Sequence, residues 1–293
     1  MSKIEDALNK IKIARSKGLS VVSANETADN SNEKDLVAAR ANVATIVNHT
    51  SSVKQIALMN NNELLVNKEL SELKVIFSDM PDKKIADTYR DLRTKLIQKS
   101  QGRNMSVMLT SCVSGYYSTM TAVNLAAAFS FDESKTSLLI DCNLNNPQLH
   151  EKLNMPEMVG LTDYLENSNI SLDSILQESG IKRLRIIPAG TSREVITEYF
   201  TSLKMRDLMS TLLKRYMDRY LFIDAAPIVE SADTRILVEL CDYVLLVVPY
   251  GKATKSKILQ AVEAIGAEKL LGIIFADKPA VPKLGMHNKN KIK

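Results

Sequence analysis

Glycine is scarce in this chain, 10 in 293 residues, and tryptophan is absent. So few glycines leave little material for a glycine-rich loop of the kind that cradles phosphates. The three cysteines, Cys112, Cys142 and Cys241, are dispersed and form no C-x-x-C pair. That excludes a disulfide framework or a cysteine zinc site and predicts free thiols in a reducing compartment. His49, His150 and His287 lie too far apart in sequence to show any metal-ligand spacing. Apolar runs such as Tyr243 to Pro249 fall far short of the roughly 20 residues a membrane helix needs. Met1 to Lys17 alternates charged and apolar residues without an h-region, so no signal peptide is expected and the protein is expected to be cytoplasmic. The net charge of +4 is too mild to indicate a nucleic-acid binder. Two local absences matter most: no lysine or arginine occurs from Asn104 to Ser134, and no tyrosine follows Tyr250.

What is present is organised around residues 105–141. A short apolar run at 105–109, a turn at Gly115, an apolar-periodic segment at 119–131 and a second run ending at Asp141 make a βαβ unit of nucleotide-binding size. A phosphate loop, G-x-x-x-x-G-K-[S/T], needs a glycine for close approach, a lysine for the outer phosphates and a hydroxyl for magnesium. With Thr119 as that hydroxyl, the lysine position holds Ser118, the second glycine Tyr117 and the first Cys112. Only backbone N–H groups and a helix dipole of about half a charge remain to attract a phosphate. On pattern alone, an ordinary βαβ turn is the better account.

Further strands are expected at Leu184 to Pro188, Tyr220 to Asp224, Tyr243 to Val248 and Leu271 to Phe275, with helices at 202–216 and 254–265 between them. The alternation predicts an α/β fold, a doubly wound, mostly parallel sheet with helices on both faces. Thr162 is read as a helix N-cap, and Leu203, Met205, Leu208, Met209 and Leu212 as the inner side of the helix at 202–216. Before the main domain at 85–279, residues 1–18 read as a basic amphipathic helix, 19–34 as a flexible linker and 35–84 as an extension of short helices laid on that domain. Residues 280–293 read as a basic mobile tail. Ile85, Tyr89, Leu92 and Leu96 have helical spacing, and Asp87, Arg90 and Arg93, three apart, share a face that could pair with a neighbouring copy.

T-S-C-V-S-G-Y-Y-S-T-M-T-A-V-N-L-A at 110–126 resembles the nucleotide loop of the bacterial tyrosine autokinases of exopolysaccharide synthesis, T-S-x-x-P-G-E-G-K-[S/T]-x-x-A-x-N-L-A. These belong to the wider partition-ATPase superfamily of P-loop proteins. The resemblance runs from about Ile85 to Ala276. Asp141-Cys142-Asn143-Leu144-Asn145-Asn146-Pro147 corresponds to the family's D-x-D-x-R-x-P, keeping the first acid and replacing the second with Asn143. Gly160-Leu161-Thr162-Asp163-Tyr164-Leu165 corresponds to G-L-x-D-x-L, and Asp224-Ala225-Ala226-Pro227 to D-S-P-P. The opening M-S-K-I-E-D-A-L-N-K is similar to autokinases found beside exosortase systems.

The resemblance implies ATP and magnesium as cofactors. It implies phosphate contacts at Gly115, Ser118 and Thr119, metal contacts at Thr119, Asp141 and Asp224, and catalytic roles for Asp141 and Asp224. It also implies self-association through Asp87, Arg90 and Arg93, which match E-x-x-R-x-x-R with Asp in place of Glu. The partner implied is a membrane polysaccharide chain-length or export protein, with the chain at the inner membrane face, residues 2–17 as a peripheral membrane contact, and assembly as a homo-oligomer or with an active paralogue. Phosphoryl transfer is mostly positioning and charge neutralisation, and the loop lysine, the loop glycine, one acid and the tyrosine tail are all lost. The expectation is therefore an inactive or very weak kinase-like adaptor. An active autokinase using internal tyrosines such as Tyr116 or Tyr117, and a partition-type ATPase, stay open as alternatives. The same loss of charge, with the ring size, predicts that Tyr116 and Tyr117 plug the vacated pocket.

Overall fold

A computed structural model describes residues 64–101, 103–133, 135–191, 197–215 and 219–276. The expected basic helix at 1–18, the linker, the extension up to residue 63 and the basic tail lie outside them. Seven strands form one sheet: β1 (Ser106–Ser111), β2 (Thr136–Asp141), β3 (Gln177–Glu178), β4 (Leu184–Ile187), β5 (Arg219–Asp224), β6 (Tyr243–Pro249) and β7 (Leu270–Ala276). Their spatial order is β3-β4-β2-β5-β1-β6-β7. Every pairing is parallel except β3 with β4. The central strands carry unbroken apolar runs because both faces are covered, as parallel sheets require.

One face is covered by α1 (Asn67–Glu72), α2 (Lys83–Ser100) and α3 (Tyr117–Ser130). Between β2 and β4 stand the short helices α4 (Leu149–Lys152), α5 (Leu161–Glu166) and α6 (Leu172–Ile175). The second face is covered chiefly by α7 (Thr197–Thr201), α8 (Leu203–Arg215), α9 (Ala232–Leu240) and α10 (Lys255–Ile265). Every residue of α3 except Met120 is buried, so this helix lies between sheet and cover rather than on the surface. Phe129 anchors it, its ring centroid 4.5 Å from that of Tyr220 and 5.1 Å from that of Phe222.

The chain before α2 is stapled to the domain through Asn124. Its Oδ1 accepts from the Ile76 N–H at 2.8 Å, and its Nδ2 donates to the carbonyls of Lys74 at 3.1 Å and Met120 at 2.8 Å. Val75, Ile76 and Phe77 are buried behind it.

On α2, Leu96 is buried and Ile85 is 48% exposed. Three expectations are corrected. The helix expected at 202–216 starts at Leu203, which is 76% exposed, because the Ser202 hydroxyl accepts from the Met205 N–H at 3.1 Å and caps a new start. Thr162 is not an N-cap: Gly160 is, with Asp163 Oδ2 accepting from its N–H, while Thr162 Oγ1 donates to the carbonyls of Ala189 and Thr191. Asp87, Arg90 and Arg93 do not present one free face. Arg90 pairs with Asp87 at 3.0 Å and donates to Ser78 O, whereas Arg93 turns inward to the Ala128 carbonyl at the end of α3.

Replacing Asn124 with Ala removes three hydrogen bonds and strands the buried Ile76 N–H. We expect a loss of about 1–3 kcal/mol in denaturant unfolding, together with faster proteolysis within residues 64–82. A stable variant with unchanged proteolysis would show that apolar packing alone holds this segment.

Candidate active site

The parallel register brings the ends of three strands together. Asp141 closes β2 beside Asp224, which closes β5, and Leu109 of β1 lies level with Asp224. The loop 112–116 leaves β1 here and enters α3. Thr119, in the first turn of α3, donates from Oγ1 to Asp224 Oδ2 at 2.5 Å. The structure thus unites Thr119, Asp141 and Asp224, the residues singled out for metal and catalysis. Ser118 also hydrogen-bonds Asp224.

Both carboxylates are fully buried. Burial, and then the charge of Asp224, pushes Asp141 up to about 8, against backbone hydrogen bonds from Asn143 (3.0 Å) and Leu149 (3.3 Å). Burial pushes Asp224 up to about 7, opposed by the hydroxyls of Thr119 and Ser118 and by the Ala225 N–H. Asp224 Oδ1 is buried without a partner. Asn143, itself buried, supplies no third negative charge.

Gly115 has φ +136°, a backbone that side chains rarely adopt. A β-carbon built there would stand 2.5 Å from a ring carbon of Tyr117, so the Tyr117 ring lies directly against the one glycine of the loop. Tyr117 is only 9% exposed, while Tyr116, stacked on it at 5.5 Å, is half-exposed. The plug expected from both tyrosines is therefore made by Tyr117, with Tyr116 as its outer layer.

Cations absent from the loop arrive from elsewhere. Lys252, in the β6–α10 turn, hydrogen-bonds the Tyr117 hydroxyl and stands 4.9 Å from its ring centroid. Lys152 of α4 stands 4.7 Å from the ring of Tyr116. Glu230 accepts from the Ser114 hydroxyl and pairs with Lys257 at 3.7 Å. None of these four residues was singled out from the sequence. The usable signal was positional: ligand sites in such sheets collect at the carboxyl ends of the strands, and Lys252 follows β6, the neighbour of β1.

The chain is 34% identical over 217 residues to the tyrosine-protein kinase YwqD of Bacillus subtilis, covering 73% of this chain and 88% of that one. The chain belongs to the bacterial tyrosine-protein kinase family. It is also 32% identical over 197 residues to the tyrosine-protein kinase CpsD of Streptococcus pneumoniae, covering 66% and 84% of the two chains. Among solved structures, the chimerical protein CapA2B2 matches with a TM-score of 0.63 at 22% identity, covering 73% of this chain and 91% of that one, a likeness of fold. No family model matches the chain.

Within this kinase family, the metal side of the site keeps its hydroxyl and two acids, but the residues as placed do not fit a magnesium–nucleotide complex. The loop carries no cation, a ring covers its glycine, and the nearby lysines are engaged with tyrosine rings or Glu230. Among the described residues, no group of three or more His, Cys, Asp or Glu side chains is arranged to hold a metal ion. No helix of the described residues is long and apolar enough to cross a membrane.

The raised carboxylates predict a direction for stability against pH. A carboxyl that holds its proton more tightly folded than unfolded stabilises the fold fully below its unfolded value of about 4, and loses that contribution as pH rises through its folded value. With Asp141 raised to about 8 and Asp224 to about 7, metal-free protein should melt at progressively lower temperature from about pH 5 to about pH 8. Asp141→Asn, neutral throughout, should flatten that slope. A melting temperature that climbs with pH over this range would contradict the assignment.

Proposed function

We propose that this kinase-family chain is a pseudokinase adaptor of exopolysaccharide biosynthesis, acting at the inner membrane face with a membrane chain-length or export protein. The observation that carries the reading is the Tyr117 ring packed on Gly115 and tied to Lys252, where a phosphate would need open backbone. Stability without nucleotide then comes from the chain itself, and control passes to partner binding. The paired Asp87 and Arg90 on α2 remain the surface proposed for self-association, with the inward Arg93 fixing that helix against α3.

A second reading, an active tyrosine autokinase, draws on the retained cluster of Thr119, Asp141 and Asp224. The two readings separate cleanly in the test tube. Titration calorimetry and thermal melting with ATP or ADP plus magnesium should show no heat of binding and no stabilisation at millimolar nucleotide, and incubation with ATP should leave no phosphotyrosine. The double substitution Tyr117→Gly with Ser118→Lys, which opens the glycine and returns the loop charge, should create measurable nucleotide binding. Micromolar binding by the unaltered chain would sink the pseudokinase reading.

A further inference from the structure

Among the described residues, the two edges of the sheet are built differently. One edge is β3, two residues long and flanked by the Arg185–Glu178 ion pair at 2.7 Å. The other is β7, L-L-G-I-I-F-A, which has no charge and no proline. Short strands and charges protect an edge from pairing, and β7 has neither. Leu271 is an extra residue in its register with β6, since Leu270 pairs with Val244 and Gly272 with Leu245. The regular stretch is therefore 272–276, and within it Ile273 is 41% and Phe275 61% exposed.

We infer that β7 pairs antiparallel with β7 of a second copy of this chain about a two-fold axis at Ile274, joining two seven-stranded sheets into one. Three features agree on this occupant and register. First, the Ala276 carbonyl is directed towards β6, because it accepts from the Tyr250 N–H at 2.8 Å. Backbone groups alternate sides along a strand, so the N–H and C=O groups of Ile273 and Phe275 point outward. An axis at Ile274 sets Ile273 opposite Phe275 of the other copy, and each such pair exchanges two hydrogen bonds.

Second, the same register sets each exposed Ile273 against an exposed Phe275 on one face of the joined sheet, an aromatic–β-branched cross-strand pair. That face is the one α10 covers only as far as β6. The exposed Ile273 and Phe275 form an apolar strip along that face. Third, the charges complement one another. Lys255 stands exposed at the end of the strip where β7 finishes, and Glu268 stands exposed just before β7 starts. Antiparallel pairing sets Lys255 of each copy towards Glu268 of the other, as an isologous contact requires. This contact is separate from the Asp87–Arg90 surface and does not depend on the pseudokinase reading.

Light scattering on the full-length chain at micromolar concentration should give the mass of a dimer or an even multiple. Phe275→Lys should halve that mass while the monomer still unfolds in one cooperative transition, at a melting temperature that no longer depends on protein concentration. Ile274→Cys should cross-link to itself under mild oxidation, since a residue on the axis faces its own copy at about 4.5 Å between α-carbons, within disulfide reach. Cross-linking is clean to read because all three native cysteines are buried. Phe275→Cys alone should not link, but should link when mixed with Ile273→Cys. Should Phe275→Lys fail to fold, the cysteine pattern decides. A monomeric full-length chain overturns the inference, including one that dimerises only after removal of residues 277–293, for then the tail is the occupant. Assembly broken by Arg90→Glu yet indifferent to Phe275→Lys, with no Ile274→Cys cross-link, overturns it as well.

Discussion

Two carboxylates held side by side and fully buried govern this molecule. Parallel pairing of β2 with β5 leaves no freedom in where Asp141 and Asp224 end, and both are fully buried. Like charges so placed cannot both be ionised cheaply. The fold meets this constraint with hydroxyls from the first turn of α3 and with backbone N–H groups. α3, β1 and the loop between them are positioned by the same contacts, so the site's framework and the centre of the fold are one structure.

Around that framework, the phosphate side of the site is filled by the chain's own side chains. In place of lysine and glycine stand Ser118 and Tyr117, and the aromatic ring covers Gly115 while Lys252 holds its hydroxyl. Glu230 holds Ser114 from the opposite side and is itself paired with Lys257. These contacts hold the loop between β1 and α3 from both sides.

Much of this was legible in the residues. The apolar runs ending in Asp141 and Asp224 read as strands because both faces of a parallel sheet demand continuous apolar residues, and the missing loop lysine was plain by inspection. The segment 119–131 was read as periodic, whereas α3 is buried nearly all round; a helix so enclosed offers no polar face for periodicity to reveal. Spacing places Leu203 inside its helix, yet it is exposed, because spacing tells which residues share a side, not whether anything lies against it. Thr162 is no cap for a related reason: a hydroxyl near a helix start caps only if the backbone turns there, and here it turns at Gly160.

The chain's pattern by itself determined the fold class and the absence of charge in the loop, since these follow from local residue types and spacing; Thr119, Asp141 and Asp224 were marked by resemblance to the family's motifs. Only the tertiary structure decided what fills the place of that charge. Glu230, Lys252 and Lys257 lie from about 110 to 140 residues beyond the loop and reach it because the order β5-β1-β6 sets their turns around the end of β1, while Lys152 reaches Tyr116 from the helix that follows β2. It likewise decided that β7 is an edge, a property of strand order that no single strand's sequence carries.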